Sequence, residues 1–321
     1  MQQLLSSVAS APALVGMLAI ATPASALTVT GAAAAMAPSQ QMQQPPRSLH
    51  QPNAFRCCAR TRSPSMMADA KAGELLRVSH AVDDVEATAA FYEKCLGMQR
   101  ASSGDAVHLS AQDGAGLCLE LTAKKGGAFE EDAGYQGLSA RVPSVADAVA
   151  AATAAGGSVV SEPTTVEHGP SMIPEEPDET ENMVVEATVA DPSGYPLLLH
   201  ECAEAEAAML SGARMDVHTW KASQDWYEGL GWSLLRWNSN VHREASLTVT
   251  MGAAKGEEAV GPRGALPPSN APVLQLTYNY NCAPIRQAAE GGLSTLVLAA
   301  ADDADAAELS DPDAYKVVLH K

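Results

Sequence analysis

The sequence has few basic residues. Only 20 of its 321 residues are Lys or Arg, against 38 Asp or Glu, and the formal net charge is −18. A protein that binds a phosphate backbone or an anionic membrane surface needs an excess of cations on the contact face. The charge balance therefore argues against nucleic acid and membranes as partners, and favours a soluble protein without a polyanionic partner.

Aromatic residues and paired cysteines are also scarce. Aromatics make up 4% of the chain while hydrophobic residues make up 46%, so the core is expected to consist mainly of small aliphatic side chains. The six cysteines include no C-x-x-C pair. That spacing argues against a disulfide scaffold and against a structural zinc site.

Acidic residues are missing from the first part of the chain, where no Asp or Glu precedes Asp69. Within that part, residues 14–26 form an apolar run that ends in A-S-A, and a segment containing Arg and Ser follows. The run is too short to span a membrane. Residues 1–68 are predicted to be a targeting presequence for the plastid stroma, with the mitochondrion as the alternative.

Three local patterns occur twice, in the same order. They are a helix end at 91–98 and 226–232, a strand at 117–122 and 273–278, and a D-P-x-x-Y turn at 191–195 and 311–315. Repetition in a constant order indicates duplicated structural units. The sequence therefore predicts an α+β protein with two related domains, at residues 74–202 and 213–321.

Each domain is predicted to contain two β-α-β-β-β modules that together curl into a half-barrel with the helices outside. The fourth module is short, because Gly137 and Asp191 are 54 positions apart whereas Thr295 and Asp311 are 16 apart. A helix and two strands do not fit into that interval, so this module is predicted to be truncated. Residues 163–182 and 252–272 are predicted to be long loops.

The segments LLRVSHAVDDVEATAAFYEKCLGM, LELT, GGSVVSEP and LQLTYNYN, together with the repeated D-P-x-x-Y turn, resemble glyoxalase I of the vicinal-oxygen-chelate superfamily. LQLTYNYN is most similar to the two-domain form found in plants. The resemblance implies a lyase that isomerises the hemithioacetal of glutathione and methylglyoxal. It also implies a divalent metal, nickel or zinc, held by two residues from one module and two from another.

Eight positions of this sequence match the metal-ligand positions of that family. They are Arg77, Glu120, Gly137 and Leu198 in the first domain, and Gly212, Gln275, Thr295 and Val318 in the second. Glu120 is a proper ligand and Gln275 a weak one, whereas arginine stays protonated and does not bind metals. The alternative interpretation of Glu120 is an ion pair with Arg77 that would replace the metal.

Other residues could contribute to a site. His80 would face the same way as Arg77 only after a one-residue slip in strand register, whereas His200 and His320 each lie two positions beyond a lost ligand. The simpler interpretation of these two is a histidine at a strand end near solvent. The resemblance also assigns substrate contacts to Asn279 and Arg77.

Three functional hypotheses remain open at this point. The first is a glyoxalase-I-like lyase that binds metal and acts on a glutathione adduct. The second is a catalytically inactive module without a cofactor that binds an unknown small molecule or protein. The third is another metal-dependent enzyme of the superfamily, a dioxygenase or epimerase, that uses His80, Glu120 and His200. In each case the domains are expected to pair within one chain, which could act as a monomer.

Overall fold

The computed structural model describes most of the chain beyond the predicted presequence. It covers residues 72–103, 105–112, 116–129, 134–168, 182–202, 205–239, 245–253, 272–280, 293–300 and 306–321. The predicted presequence at 1–68 lies outside these ranges. Within them, no helix is both long and apolar enough to cross a membrane.

The first module follows the predicted order of elements. It contains β1 (Ala72–Val82), α1 (Val85–Leu96), β2 (Gln99–Ser103), β3 (Ala106–Ser110) and β4 (Cys118–Ala123). Helix α1 begins where Asp84 accepts a hydrogen bond from the backbone N–H of Ala87, and it ends at Gly97 in the left-handed conformation with φ 65°. Both signals act locally, so they could be predicted from the sequence.

The second module has the same order and a longer hairpin. It contains β5 (Tyr135–Val142), α2 (Val145–Ala154), β6 (Ser158–His168), β7 (Asn182–Ala190) and β8 (Pro196–Glu201). The predicted loop at 163–182 is too long, because β6 continues to His168 by pairing with β7. Pro163 lies at a register shift in this edge strand, where its missing N–H removes no ladder bond.

The third and fourth modules complete the chain. The third contains β9 (Met209–Asp216), α3 (Trp220–Gly229), β10 (Ser233–Ser239), β11 (Ser246–Gly252) and β12 (Val273–Asn279). The fourth contains β13 (Leu293–Ala300), β14 (Ala307–Ser310) and β15 (Lys316–His320). The predicted truncation is confirmed, since the interval between β13 and β14 has no room for a helix and another strand. The longer interval between Thr295 and Asp311 contains the short strand β14.

The strands form two sheets, and each sheet combines modules from both predicted domains. Sheet A has the order β14-β15-β13-β1-β4-β3-β2, and sheet B has the order β10-β11-β12-β9-β5-β8-β7-β6. The α+β fold of tandem modules is confirmed, but the expectation that one domain supplies one half-barrel is wrong. The reason is that β1 pairs antiparallel with β13, and β5 with β9. Module 1 therefore shares a sheet with module 4, and module 2 with module 3.

The repeated D-P-x-x-Y turn connects consecutive modules in a different way. The Asp191 carboxylate accepts hydrogen bonds from the backbone N–H groups of Ser193 and Tyr195, at 2.8 and 3.0 Å. It also accepts one from the Tyr92 hydroxyl on α1, at 3.2 Å. A buried aspartate in module 2 thus holds both its own turn and the helix of module 1.

The second copy of the turn repeats this arrangement between modules 3 and 4. Asp311 accepts from the backbone N–H groups of Asp313 and Tyr315, at 2.9 and 2.8 Å. The Tyr227 hydroxyl on α3 donates to it at 3.2 Å. The duplicated motif is therefore a structural feature that links successive modules.

These two aspartates predict a pH-dependent stability. Burial raises the pKa of Asp191 and of Asp311 to about 7, whereas the pKa of an aspartate in the unfolded chain is about 3.9. The folded state therefore holds protons that the unfolded state releases, and this stabilising contribution is lost as the pH rises through about 7. We expect the free energy of unfolding to fall by about 1 kcal/mol or more per carboxyl between about pH 5 and pH 8.

The measurement is urea unfolding at a series of pH values. The variant that combines Asp191→Asn and Asp311→Asn keeps a neutral acceptor at both turns, so its stability should depend much less on pH. Equal slopes for the two proteins would contradict the role given to these carboxyls.

Candidate functional site

The two faces of sheet A differ in what they contact. On β1, Leu75, Val78 and Val82 are at most 1% exposed and belong to the hydrophobic core. A register shift between Leu75 and Arg77 lets Arg77 and Ser79 point to the other face. We call this second face, which turns away from the core, the open face.

The eight family ligand positions are divided between the sheets by module pairing and not by domain. Sheet A carries Arg77, Glu120, Thr295 and Val318 on β1, β4, β13 and β15. Sheet B carries Gly137, Leu198, Gly212 and Gln275 on β5, β8, β9 and β12. The grouping by domain that the sequence suggested is therefore wrong. The regrouped sets still contain only one strong metal ligand, which is Glu120.

Glu120 is at the centre of a polar cluster on the open face. Ser79 Oγ donates to Glu120 Oε2 at 2.5 Å, and Arg77 Nε lies 3.3 Å from the same oxygen. The other oxygen, Oε1, lies 3.4 Å from His108 Nε2. The ion pair between Arg77 and Glu120 that the sequence suggested is thus formed, and it joins the adjacent strands β1 and β4.

A divalent metal does not fit this cluster. The ligand position next to Glu120 holds a guanidinium, which places a positive charge within 3.3 Å of the carboxylate. Thr295 offers only a hydroxyl and Val318 offers no donor atom, whereas nickel and zinc prefer imidazole, thiolate or carboxylate. Among the described residues, no three His, Cys, Asp or Glu side chains form a group that could hold a metal.

At two of the four ligand positions in sheet B, the backbone of a neighbouring strand leaves no space for a side chain. A Cβ atom at Gly137 would lie 2.0 Å from the carbonyl oxygen of Pro196, and one at Gly212 would lie 2.2 Å from that of Val273. No side chain can be accommodated there without movement of a strand. Gln275 is left as a lone weak ligand, so these positions do not fit a metal either.

His80 belongs to the core and not to a metal site. It is 0% exposed, its Nε2 lies 2.8 Å from the Tyr135 hydroxyl, and its ring stacks on Tyr195 at 4.1 Å. Burial lowers the pKa of His80 to about 3, so the ring is neutral. The one-residue slip proposed for this strand does not occur in β1, since His80 pairs with Leu121 in the regular β1–β4 ladder. The register shift between Ser79 and His80 in the β1–β13 ladder places the extra residue in β13.

His200 lies in sheet B, whereas Glu120 lies in sheet A. His200 is 2% exposed, and its Nδ1 is 2.7 Å from Glu186 Oε1 on β7. It is therefore a buried partner of Glu186 and not a strand-end residue near solvent, whereas His320 is exposed as expected. The structure does not bring His80, Glu120 and His200 together, which removes the ligand set of the third hypothesis.

Asn279 makes a structural hydrogen bond. Its Nδ2 donates to Asp216 Oδ1 at 2.9 Å, and Gln136 Nε2 donates to the same oxygen at 2.6 Å. This side chain joins β12 to β9 in sheet B, whereas the Glu120 cluster lies in sheet A. The role of Asn279 as a substrate contact stays a prediction.

Sequence reasoning missed Ser79 and His108. Ser79 could have been found, because it lies two positions after Arg77 and strand alternation puts both on one face. His108 could not, since its place beside Glu120 depends on the register of β3 against β4. That register is a tertiary property.

The sheets, helices and turns define a glyoxalase-like protein, and residues 74–197 match the model of the Glyoxalase/Bleomycin resistance protein/Dioxygenase superfamily. Through this segment the chain is similar to that superfamily, and the resemblance stated from the sequence is confirmed. No curated protein sequence gives a significant match.

Solved structures with a similar fold include glyoxalase I from Zea mays. That structure has 21% identity and a TM-score of 0.58, and the match covers 77% of this chain and 91% of the maize chain. A putative dioxygenase from Bacillus subtilis has 13% identity and a TM-score of 0.50, with 78% and 85% covered. At these identities the likeness establishes the fold and not the activity.

The close backbone contacts at Gly137 and Gly212 in sheet B predict that even a substitution by alanine lowers the stability of the protein. In Gly212→Ala the new methyl group would collide with the carbonyl of Val273, so β9 and β12 must separate. We expect a loss of about 2–3 kcal/mol in unfolding free energy. Gly229→Ala is the control, because nothing lies within 4 Å of that Cβ, and it should stabilise α3 by up to about 1 kcal/mol. Thermal unfolding of the two variants measures the difference.

Because Arg77 and Glu120 form an ion pair, substitutions at the two positions should have non-additive effects on the free energy of unfolding. Arg77→Met leaves a carboxylate that is only 18% exposed without its guanidinium partner, whereas adding Glu120→Gln removes that charge as well. We expect a coupling energy of about 1 kcal/mol in a double-mutant cycle followed by urea unfolding. The exposed pair Lys316–Glu308 serves as the control, with coupling below about 0.5 kcal/mol. Additive effects at Arg77 and Glu120 would contradict the pairing.

Proposed function

We propose that this protein is a glyoxalase-fold binding module that holds a small molecule on the open face of sheet A without a metal. The observation that carries the proposal is the Arg77 guanidinium, which occupies a ligand position and lies 3.3 Å from Glu120. The pair replaces the charge that a metal would supply with one that the chain provides itself.

The competing function is isomerisation of the glutathione–methylglyoxal hemithioacetal, as part of methylglyoxal detoxification. It draws on the sequence motifs and on the fold shared with maize glyoxalase I. That reaction requires a cation that polarises the substrate oxygens and a carboxylate that moves a proton. The positions of the proton-transferring residue hold Leu198 and Val318, which have no ionisable group. The residues therefore favour binding over this chemistry.

The experiment is a metal and activity assay on the full-length chain. The protein is depleted of metal, incubated with nickel or zinc, and analysed for bound metal and for lactoylglutathione formation, with maize glyoxalase I as the positive control. We expect well under one equivalent of metal and no turnover. One equivalent of metal together with turnover that Glu120→Ala abolishes would overturn the proposal.

The plastid stroma is the proposed location, with the mitochondrion as the runner-up. Support comes from the acid-free composition of residues 1–68. Fusion of residues 1–68 to a fluorescent protein would identify the compartment directly.

A further inference from the structure

The ion pair on the open face also indicates which kind of small molecule binds there. We infer that the ligand is a zwitterionic α-amino acid whose carboxylate contacts Arg77 and whose ammonium contacts Glu120. The inference rests on the proposed function, since a metal at Glu120 would compete with the ammonium. It is drawn from the charges, exposures and open hydrogen-bonding capacity of the two side chains.

Arg77 has hydrogen-bonding capacity left for an anion. Its side chain is 28% exposed, and its Nε lies 3.3 Å from Glu120 Oε2 without the alignment of a hydrogen bond. Within the described parts of the chain, this buried Nε has no hydrogen-bond partner. A guanidinium presents five donors in a planar fork that matches both oxygens of a carboxylate. A ligand carboxylate would thus contact the guanidinium through the exposed part of the Arg77 side chain.

Glu120 has the matching capacity for a cation. Its Oε2 accepts the Ser79 hydroxyl, whereas His108 Nε2 lies at the long distance of 3.4 Å from Oε1. A carboxylate has about four acceptor positions, so Oε1 can accept the N–H groups of an ammonium. The side chain is 18% exposed, and therefore reachable from the open face.

The adjacency of the two charges selects a zwitterion over a simple ion. A plain carboxylate bound to Arg77 would lie beside the Glu120 carboxylate, and a plain amine bound to Glu120 would lie beside the guanidinium. In each case one contact is attractive and the other repulsive. An α-amino acid carries both charges one carbon apart, so both contacts are attractive when it lies antiparallel to the Arg77–Glu120 pair.

The neighbouring side chains suggest a small apolar amino acid. Cys118 on β4 and Val297 on β13 lie in register with Arg77, and Val297 is in turn in register with Val318 on β15. This row offers a thiol and two valines beside the guanidinium and no charge of its own. An amino acid with a short apolar side chain would bury it here, whereas an acidic or basic side chain would lose hydration.

The test compares three probes on the metal-depleted full-length chain. L-alanine carries both charges, propionate lacks the ammonium, and L-alaninamide lacks the carboxylate. Binding is measured by ligand-observed NMR and by competition against isotopically labelled L-alanine. We expect both analogues to bind at least about tenfold more weakly than L-alanine, because each loses one charge-assisted contact.

The variants assign the contacts. Arg77→Met and Glu120→Gln should each weaken L-alanine binding by about tenfold or more. Lys316→Met, which removes a cation from the exposed pair on β15, should leave it unchanged. Should Arg77→Met fold poorly, Arg77→Lys keeps the charge but lacks the planar fork, and is still expected to bind more weakly.

Failure of the inference and failure of the proposed function give different results. If propionate binds as tightly as L-alanine, or if the metal-free protein binds no L-alanine, the inference of a zwitterionic ligand is wrong but the proposed function is not affected. One equivalent of nickel or zinc held through Glu120 would overturn the proposed function. Weaker analogues together with the expected losses in the Arg77 and Glu120 variants would support both.

Discussion

Backbone hydrogen bonding between the opening strands of different modules is the constraint on which the rest of this structure depends. The edge of an unpaired strand exposes N–H and C=O groups that require partners. Here β1 pairs with β13, and β5 with β9. This pairing brings residues from the two ends of the described chain together on one sheet. It places Arg77 in register with Val297, and Ser79 in register with Thr295, across more than two hundred positions of sequence.

Because of the same pairing, the two sheets have chemically different residues at the ligand positions. Sheet A gathers the one ionisable carboxylate among the ligand positions and matches it with a guanidinium on the neighbouring strand. Sheet B brings Gly137 and Gly212 against carbonyl oxygens of adjacent strands, at distances that no side chain tolerates. The loss of metal ligands is therefore accompanied by structural substitutes in both sheets. In sheet A an ion pair occupies two of the metal-ligand positions, and in sheet B close contact between strands leaves no space for ligand side chains at two others.

Local signals made much of the fold predictable. The Asp84 cap and the terminal Gly97 bound α1 as expected, because both act within a few residues. Strand β6 was predicted too short, since its pairing with β7 overrides weak intrinsic preferences. For the site, Glu120 and its pairing with Arg77 could be anticipated from motif and charge. The burial of His80 against Tyr135 and Tyr195 could not, because it depends on contacts between modules.

The sequence by itself determined the modules, their number, the truncation of the fourth, and the identity of the residues at the ligand positions. The modules and the truncation follow from repeats and spacing, which are properties of the chain alone, whereas the ligand positions follow from the resemblance to glyoxalase I. Only the tertiary structure decided which modules share a sheet, which ligand positions meet, and that His108 and Ser79 complete the Glu120 cluster. The physical reason is that strand partners and register are set by hydrogen bonding and burial summed over whole sheets, and no short segment carries that information.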